Sequence, residues 1–169
     1  MAARPIVIYG DPVLREVSTP FDEVNQEARD LVTDLIDTLR QAKGLGLAAV
    51  QIGVLRRVFI LDLAAVDITA TLKVFINPEI LEISEEEAEF EEGCLSFPGI
   101  YQKITRPARV RVRALDLDGK EFEMDVSGMT ARAILHEYDH LEGKLFIDRM
   151  TPIAKTLLRG RLKKLAKAS

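Results

Sequence analysis

The order of strand-like and helix-like segments restricts the fold of this chain more than any other feature of the sequence. Strand patterns follow one another at residues 58–63, 73–81 and 84–92 and in a hairpin at 109–126. A helical pattern at residues 25–43, with Gly44 as its natural end, precedes this block, and two more follow it at 127–144 and from about 152 onward. A doubly wound fold would require strands and helices to alternate. The order therefore predicts an α+β fold with a largely antiparallel sheet.

The hairpin at residues 109–126 has a loop whose length follows from the side chains on its two strands. A two-residue turn would set Arg113 opposite Met124 and mix charged with apolar residues on one face. A three-residue loop at 117–119, with Gly119 in the left-handed conformation, places Arg113 against Glu123 instead. The sequence therefore predicts the three-residue loop.

Six glutamates lie in the segment SEEEAEFEE at residues 84–92. Glu87, Glu89 and Glu91 alternate with Ala88 and Phe90, and alternate residues of a strand face opposite sides. The acids therefore spread along one solvated strand face, which is favoured over a cation-binding acidic cluster.

Length and composition indicate one soluble domain, which we expect to span residues 1–169. A chain of 169 residues can bury a sizeable core, and its single cysteine excludes an intramolecular disulfide. No apolar run approaches the roughly 18 residues that a membrane span needs, and no secretory signal precedes the first strand pattern. We therefore expect a cytoplasmic protein without a membrane partner.

Charge is distributed unevenly along the chain. Its net charge is −4, yet the segment from Lys155 to Ser169 contains six basic residues and no acid. The remaining 17 basic and 27 acidic residues give the rest of the chain a net charge of −10. The basic segment either contacts an anionic partner or is the solvated face of a helix, and charge alone leaves both readings open.

The segment HEYDH at residues 136–140 contains the only two histidines of the chain. Four residues apart on a helix, His136 and His140 lie on one face, and Glu137 lies beside them. A third histidine in the familiar longer motif would fall at position 146, which is Phe146. The acids that follow His140, at positions 142 and 148, are too near in sequence to complete the site. The third ligand must therefore come from elsewhere in the chain.

Cys94, in the segment EEGCLSFPG at residues 91–99, is the remaining soft ligand. A lone cysteine is more often a small buried apolar residue, but this one lies among charged and small residues at the end of a charged strand. With His136 and His140 it would supply one thiolate and two imidazoles. Since the chain has no fourth cysteine or histidine, this set leaves one position open, as catalytic metal sites do.

The segment KGLGLAAVQIG at residues 43–53 has almost no side-chain bulk before Gln51. It could be a flexible loop after the first helix. A bare backbone would also suit a ligand laid alongside it, and the Gln51 amide can donate a hydrogen bond to a developing oxyanion.

Together, GLGLAAVQ, EGCLS and HEYDH resemble the three signature segments of the peptide deformylase family. They occur in the order and at the separations of that family, and the resemblance extends from GDPVLR at 10–15 to KLFIDRM at 144–150. Val50 stands where many members have proline, which bears only on the stiffness of that loop. The chain has no long insertion between the first two segments, and its terminal helix is basic. Both features resemble the shorter bacterial type.

The resemblance implies a metal-dependent hydrolase that removes the N-formyl group from the initiator formyl-methionine of nascent polypeptides and releases formate. It implies antiparallel sheets packed around a central HExxH helix, and one divalent metal per chain. Ferrous iron is the expected metal, with Zn²⁺, Ni²⁺ or Co²⁺ able to occupy the site. A Cys/His₂ donor set alone would also suit zinc.

Residue roles follow from the same resemblance and from the chemistry of the side chains. Glu137 would take a proton from the attacking water, and the Gln51 amide and the Leu95 backbone N–H would stabilise the oxyanion. The expected ligands are Cys94, His136 and His140. The residues expected to contact the substrate are Leu45, Gly46, Met129 and Ala133. Asp139 and Arg106 could either orient the ligands or pair with each other.

The basic C-terminal helix, about residues 152–167, is expected to dock on the ribosome, as it does in the shorter bacterial members. Leu157, Leu158, Leu162 and Leu165 recur at helical spacing, so one side of the helix should lie on the body of the protein with the bases outward. Two other readings remain: a metal-binding adaptor that docks on the ribosome without turnover, and a peptidase. The first has no need of Glu137 and Gln51, and the second is disfavoured by the family resemblance.

Overall fold

Two antiparallel sheets and three α-helices make up the described part of the chain, residues 3–65 and 71–168 of the computed structural model. The helices are α1 (Gln26–Ala42), α2 (Gly128–Leu141) and α3 (Pro152–Ala168). The strands are β1 (Gly46–Ala48), β2 (Val58–Asp62), β3 (Leu72–Ile83), β4 (Glu87–Gly93), β5 (Tyr101–Pro107), β6 (Arg109–Leu115) and β7 (Glu121–Ser127). Short 3-10 helices lie at Pro12–Arg15, Ala49–Ile52, Leu63–Ala65 and Phe146–Arg149.

Helix α2, which carries both histidines, lies between the two sheets. The larger sheet has the strand order β1-β2-β3-β6-β7, and the smaller consists of β4 and β5. Ile134 of α2 belongs to the same buried apolar cluster as Phe59 of the larger sheet. From the other side of the helix, Arg132 donates hydrogen bonds to the carbonyl oxygens of Ala88 and Ile104 in the smaller sheet. The predicted α+β fold around a central histidine helix is therefore confirmed.

The hairpin of β6 and β7 has the predicted loop. Arg113 lies opposite Glu123 and Val112 opposite Met124, and Gly119 is left-handed with φ of 78°. The Asp116 N–H donates to the carbonyl oxygen of Lys120 at 2.9 Å, which encloses three residues. The register argument from side-chain faces is confirmed.

The end of α1 differs from the prediction. Lys43, not Gly44, takes the left-handed conformation, with φ of 58°, and its N–H donates to the Leu39 carbonyl oxygen at 2.8 Å. Gly44 has another use, because a Cβ at this position would lie 2.8 Å from Cδ1 of Leu95. Its missing side chain makes room for the residue that follows Cys94.

Strand β4 has the predicted solvated face, since Glu87, Glu89 and Glu91 are exposed. Glu92 is different, because only 5% of its surface is accessible. Even-numbered residues of this strand face inward, so Glu92 shares the side of Ala88 and Phe90. The strand therefore delivers one carboxylate to the interior.

Helix α3 lies on the body through one side. Leu158 and Leu162 are buried in a cluster with Phe97 and Phe146, and Leu165 is partly buried against it. The expectation for Leu157 was wrong: it is 77% exposed, because it lies about 100° around the helix from Leu158. All six basic residues of the segment are exposed. Within the described ranges, no helix combines the length and apolar content of a membrane span.

Candidate active site

The three motif segments meet around one cavity of about 430 Å³. The sequence-predicted residues that line it are Leu45, Gly46, Gln51, Cys94, Leu95, Met129, Ala133, His136 and Glu137. Only His140 is not part of the lining, because it is buried one helical turn beyond His136. The structure thus brings the expected catalytic, metal-binding and substrate-contacting side chains to one place.

Cys94, His136 and His140 form a set of three ligand atoms that lie within 4.8 Å of one another. Cys94 Sγ is 3.4 Å from His140 Nε2. Ligand atoms on one tetrahedral metal ion, with bonds of about 2.1–2.3 Å, are roughly 3.4–3.6 Å apart. This separation and the mixture of thiolate and imidazole therefore fit a divalent metal.

The protonation of the two histidines differs. Burial lowers the pKa of His140 well below its usual value, so this imidazole is neutral, the form that binds metals. Burial acts in the same direction on His136, but hydrogen bonds with Cys94 and Glu92 raise its pKa well above the usual value. His136 Nδ1 lies 2.9 Å from Glu92 Oε1. A carboxylate only accepts hydrogen bonds, so Nδ1 keeps its proton, and Nε2 is the nitrogen that would lose its proton to bind a metal.

Glu92 is the centre of a buried charge cluster behind the ligands. Burial would raise its pKa, but hydrogen bonds from His136 and Arg106 outweigh this and hold it well below the usual value. Arg106 donates to Glu92 at 2.7 and 3.0 Å, and Arg132 donates to it at 2.7 Å. The third Arg106 nitrogen donates to Asp139 at 2.8 Å. Arg106 thus pairs with Asp139 and at the same time supports the carboxylate that orients His136, so both of its expected roles are present.

Glu137 is buried at the floor of the cavity. Burial raises the pKa of its carboxyl group to about 7, and its Oε1 has no hydrogen-bond partner within the described residues. Gly46 makes room for it: a Cβ at position 46 would lie 2.8 Å from Glu137 Oε2 and 2.7 Å from Leu61 Cδ2. The low-bulk segment therefore allows the backbone of β1 to approach the carboxylate directly.

Gln51 lies in the 3-10 helix that follows β1, and its amide orientation is fixed. The Ala48 N–H donates to Oε1 at 3.0 Å, so the NH₂ group points the other way. It donates to Ser96 Oγ at 3.1 Å and lies 3.6 Å from Cys94 Sγ. The amide donor therefore lies beside the thiolate ligand.

Sequence reasoning missed three residues of the site. Glu92 could have been found, because the alternation that assigned the wet face of β4 also assigns it to the inner face. Arg132 could also have been found, since it lies one turn before His136 on α2. Tyr101, 63% exposed at the cavity rim, had no signal in the sequence. Its ring covers Gly93, where a Cβ would lie 2.5 Å from Tyr101 Cε1.

Comparison with known sequences identifies relatives along the whole chain. Residues 3–156 match the sequence model of the polypeptide deformylase family. A peptide deformylase of Mesorhizobium japonicum is 47% identical over 167 residues, covering 99% of this chain and 95% of the relative. A peptide deformylase of Phenylobacterium zucineum is 44% identical over 169 residues, with full coverage of both chains.

Solved structures of peptide deformylases also superpose on this fold. The Legionella pneumophila protein gives a TM-score of 0.89 at 39% identity, covering 99% of this chain and 97% of that one. The Ehrlichia chaffeensis protein in complex with actinonin gives 0.88 at 36% identity, covering 97% and 98%. The chain therefore belongs to the polypeptide deformylase family, whose enzymes remove the N-formyl group from nascent peptides by metal-dependent hydrolysis.

Proposed function

We propose that the cavity between β1, β4 and α2 is where this enzyme hydrolyses the formyl amide of N-formyl-methionyl peptides. One observation carries the proposal: three ligand atoms within 4.8 Å of one another share a cavity with a buried carboxylate that has an oxygen without a hydrogen-bond partner among the described residues. Water that enters there meets both a metal site and a proton acceptor. The reaction breaks the formyl C–N bond and yields formate and a free amine.

Cys94, His136 and His140 would hold the metal in this proposal. A divalent cation there supplies a Lewis acid that lowers the pKa of a water molecule to about 7. We propose ferrous iron, on the support of the family to which the chain belongs, although the donor set also suits zinc. The hydrogen bond from His136 to Glu92 would hold the imidazole ring in place before the metal binds.

Glu137 would transfer the proton of the reaction. A carboxylate with a pKa of about 7 can accept a proton from water near neutral pH and return it to the leaving nitrogen. The Gln51 NH₂ group and the Leu95 backbone N–H would donate to the oxyanion that forms as the formyl carbon is attacked. For Gln51 the support is its fixed orientation, since Ala48 holds the oxygen end of the amide.

The substrate would lie between the Leu45–Gly46 backbone and the segment after Cys94. Leu45, Met129 and Ala133 line the cavity and offer an apolar surface to the methionine side chain. We also propose that residues 1–169 act as one domain.

Formate release from formyl-Met-Ala-Ser tests the activity directly. Protein purified without oxygen should release formate, and metal analysis of the same sample should find about one iron per chain. Glu137→Ala should keep its metal and lose turnover. If that variant retained wild-type turnover, Glu137 would not be the proton-transfer group. If zinc predominated in anaerobically purified, active protein, the proposal of iron would be wrong.

We further propose that α3 contacts the ribosome. Its six bases are exposed, and its apolar side is already occupied by the body of the protein. Co-sedimentation of the full-length protein with ribosomes at low salt tests this contact. Deleting the chain from Arg159 onward is not a neutral control, because it removes the buried Leu162 and the hydrogen bond from Arg161 to the Gly99 carbonyl oxygen at the cavity rim. Substitutions that change charge alone are better suited.

A further inference from the structure

A second cavity, of about 330 Å³, lies where α3 crosses the body of the protein. Four basic side chains line it: Arg15 from the first 3-10 helix, and Lys155, Arg159 and Lys163 from α3. It is separate from the catalytic cavity, with which it shares no lining residue.

The charge of this basic cavity is strongly positive. Of the described residues that line it, Asp148 is the acidic one, and its carboxylate is paired with Arg15 at 2.6 and 3.1 Å. Asp148 also accepts the Leu145 N–H at 2.9 Å. The three bases of α3 thus add three positive charges beside an ion pair that is already neutral, which favours an anionic ligand.

The three helix bases form a row. Lys155, Arg159 and Lys163 are four residues apart, so they lie on one side of α3 at intervals of about 6 Å along its axis. A row of evenly spaced cations beside a cavity fits a polymer with repeated negative charges better than a single small anion. The phosphate backbone of RNA is such a polymer.

An anionic membrane fits the same helix less well. A helix that lies on a membrane needs its apolar side toward the lipid with bases beside it. Here the apolar side of α3 is buried against the body. The exposed apolar residues Ile153 and Leu157 lie about 140° around the helix from the basic row, so both groups cannot face one bilayer.

We propose that the basic cavity is a binding site for the phosphate backbone of RNA, contacted by Arg15, Lys155, Arg159 and Lys163. This inference rests on the proposed ribosome contact and specifies which face of α3 makes it. Tyr9 lines the basic cavity and stacks on Phe97, which lines the catalytic cavity, with ring centroids 4.7 Å apart. One pair of stacked rings therefore connects the lining of the basic cavity with the lining of the catalytic cavity.

Two double variants with equal loss of charge test the proposal. K155Q/K163Q removes two charges from the basic row, and K164Q/K167Q removes two from exposed positions of α3 that do not line the cavity. Binding of the full-length proteins to ribosomes and to a fluorescent RNA oligonucleotide is measured over a range of salt concentrations. Hydrolysis of formyl-Met-Ala-Ser should be unchanged in both variants, which shows that both are folded.

K155Q/K163Q should reduce the magnitude of the slope of log K against log salt by about 1.4–1.8, as expected for two lost phosphate contacts. K164Q/K167Q should leave the slope close to that of the unsubstituted protein. Equal slopes in the two variants, or a K155Q/K163Q slope like that of the unsubstituted protein, would overturn the site while ribosome contact by α3 stands. If the full-length protein does not bind ribosomes even at low salt, the proposed ribosome contact itself is wrong, and so is the inference that rests on it. Binding to phosphatidylglycerol vesicles but not to RNA would assign the cavity to lipid and overturn the proposal.

Discussion

Replacing Glu92 with alanine should destabilise the protein by about 3–5 kcal/mol, the cost of leaving buried charges without their partner. Its carboxylate accepts hydrogen bonds from three side chains, those of Arg106, Arg132 and His136. After its removal Arg106 still has Asp139, but the hydrogen-bond acceptors left to Arg132 among the described residues are two backbone carbonyl oxygens. Both guanidinium groups are almost fully buried, so water cannot replace the missing carboxylate.

Urea denaturation and thermal melting measure this loss. A change of 3–5 kcal/mol should lower Tm by about 6–20 °C in a chain of this length. Glu91→Ala is the matched control, because its side chain lies on the exposed face of the same strand and should change stability by less than about 0.5 kcal/mol. Glu92→Gln keeps the shape of the side chain but not its charge. It should weaken metal affinity by about 10–100-fold, because the hydrogen bond that holds the His136 ring becomes weaker. A Glu92→Ala protein within 1 kcal/mol of the unsubstituted one would refute the reasoning.

Three further predictions concern the catalytic cavity. Gln51→Ala should retain its metal and lose on the order of 10²–10³ in kcat, and steady-state activity within twofold of the unsubstituted protein would make Gln51 a structural residue only. Gly46→Ala should lose on the order of 10² in kcat, because its Cβ displaces the Glu137 carboxylate. Gly160→Ala, where a Cβ meets nothing within 4 Å, should leave kcat unchanged, and equal losses in the two alanine variants would exclude the steric explanation. Removing the metal with a chelator should abolish formate release while the far-ultraviolet circular dichroism spectrum persists, and Fe²⁺ added without oxygen should restore activity. A lost spectrum would mean that the fold depends on the metal.

The sequence was sufficient for the features that depend on residue spacing or on the number of residues of one type. The hairpin loop at 117–119 followed from which side chains share a strand face, and the structure has the same register. The single cysteine and two histidines left only one possible Cys/His donor set, and the structure brings these three residues together. In each case a residue count or a spacing restricted the answer before any tertiary contact was known.

Other features depend on contacts between segments that are distant in sequence. Nothing near Glu92 shows that Arg106 and Arg132 reach it from another strand and from α2. The left-handed Lys43 was missed because the neighbouring glycine was the more obvious helix end, while that glycine is required by its contact with Leu95. These outcomes are set by tertiary packing, which a single sequence does not display.

The close approach of Gly46 to Glu137 limits how the enzyme could escape an inhibitor. A compound seated against this backbone would contact a position where any added side chain meets Leu61 on one side and the Glu137 carboxylate on the other. Substitutions there that exclude the compound would also displace the carboxylate. Resistant variants should therefore arise at the rim, for example at the exposed Tyr101, where a side chain can change without moving a buried polar group.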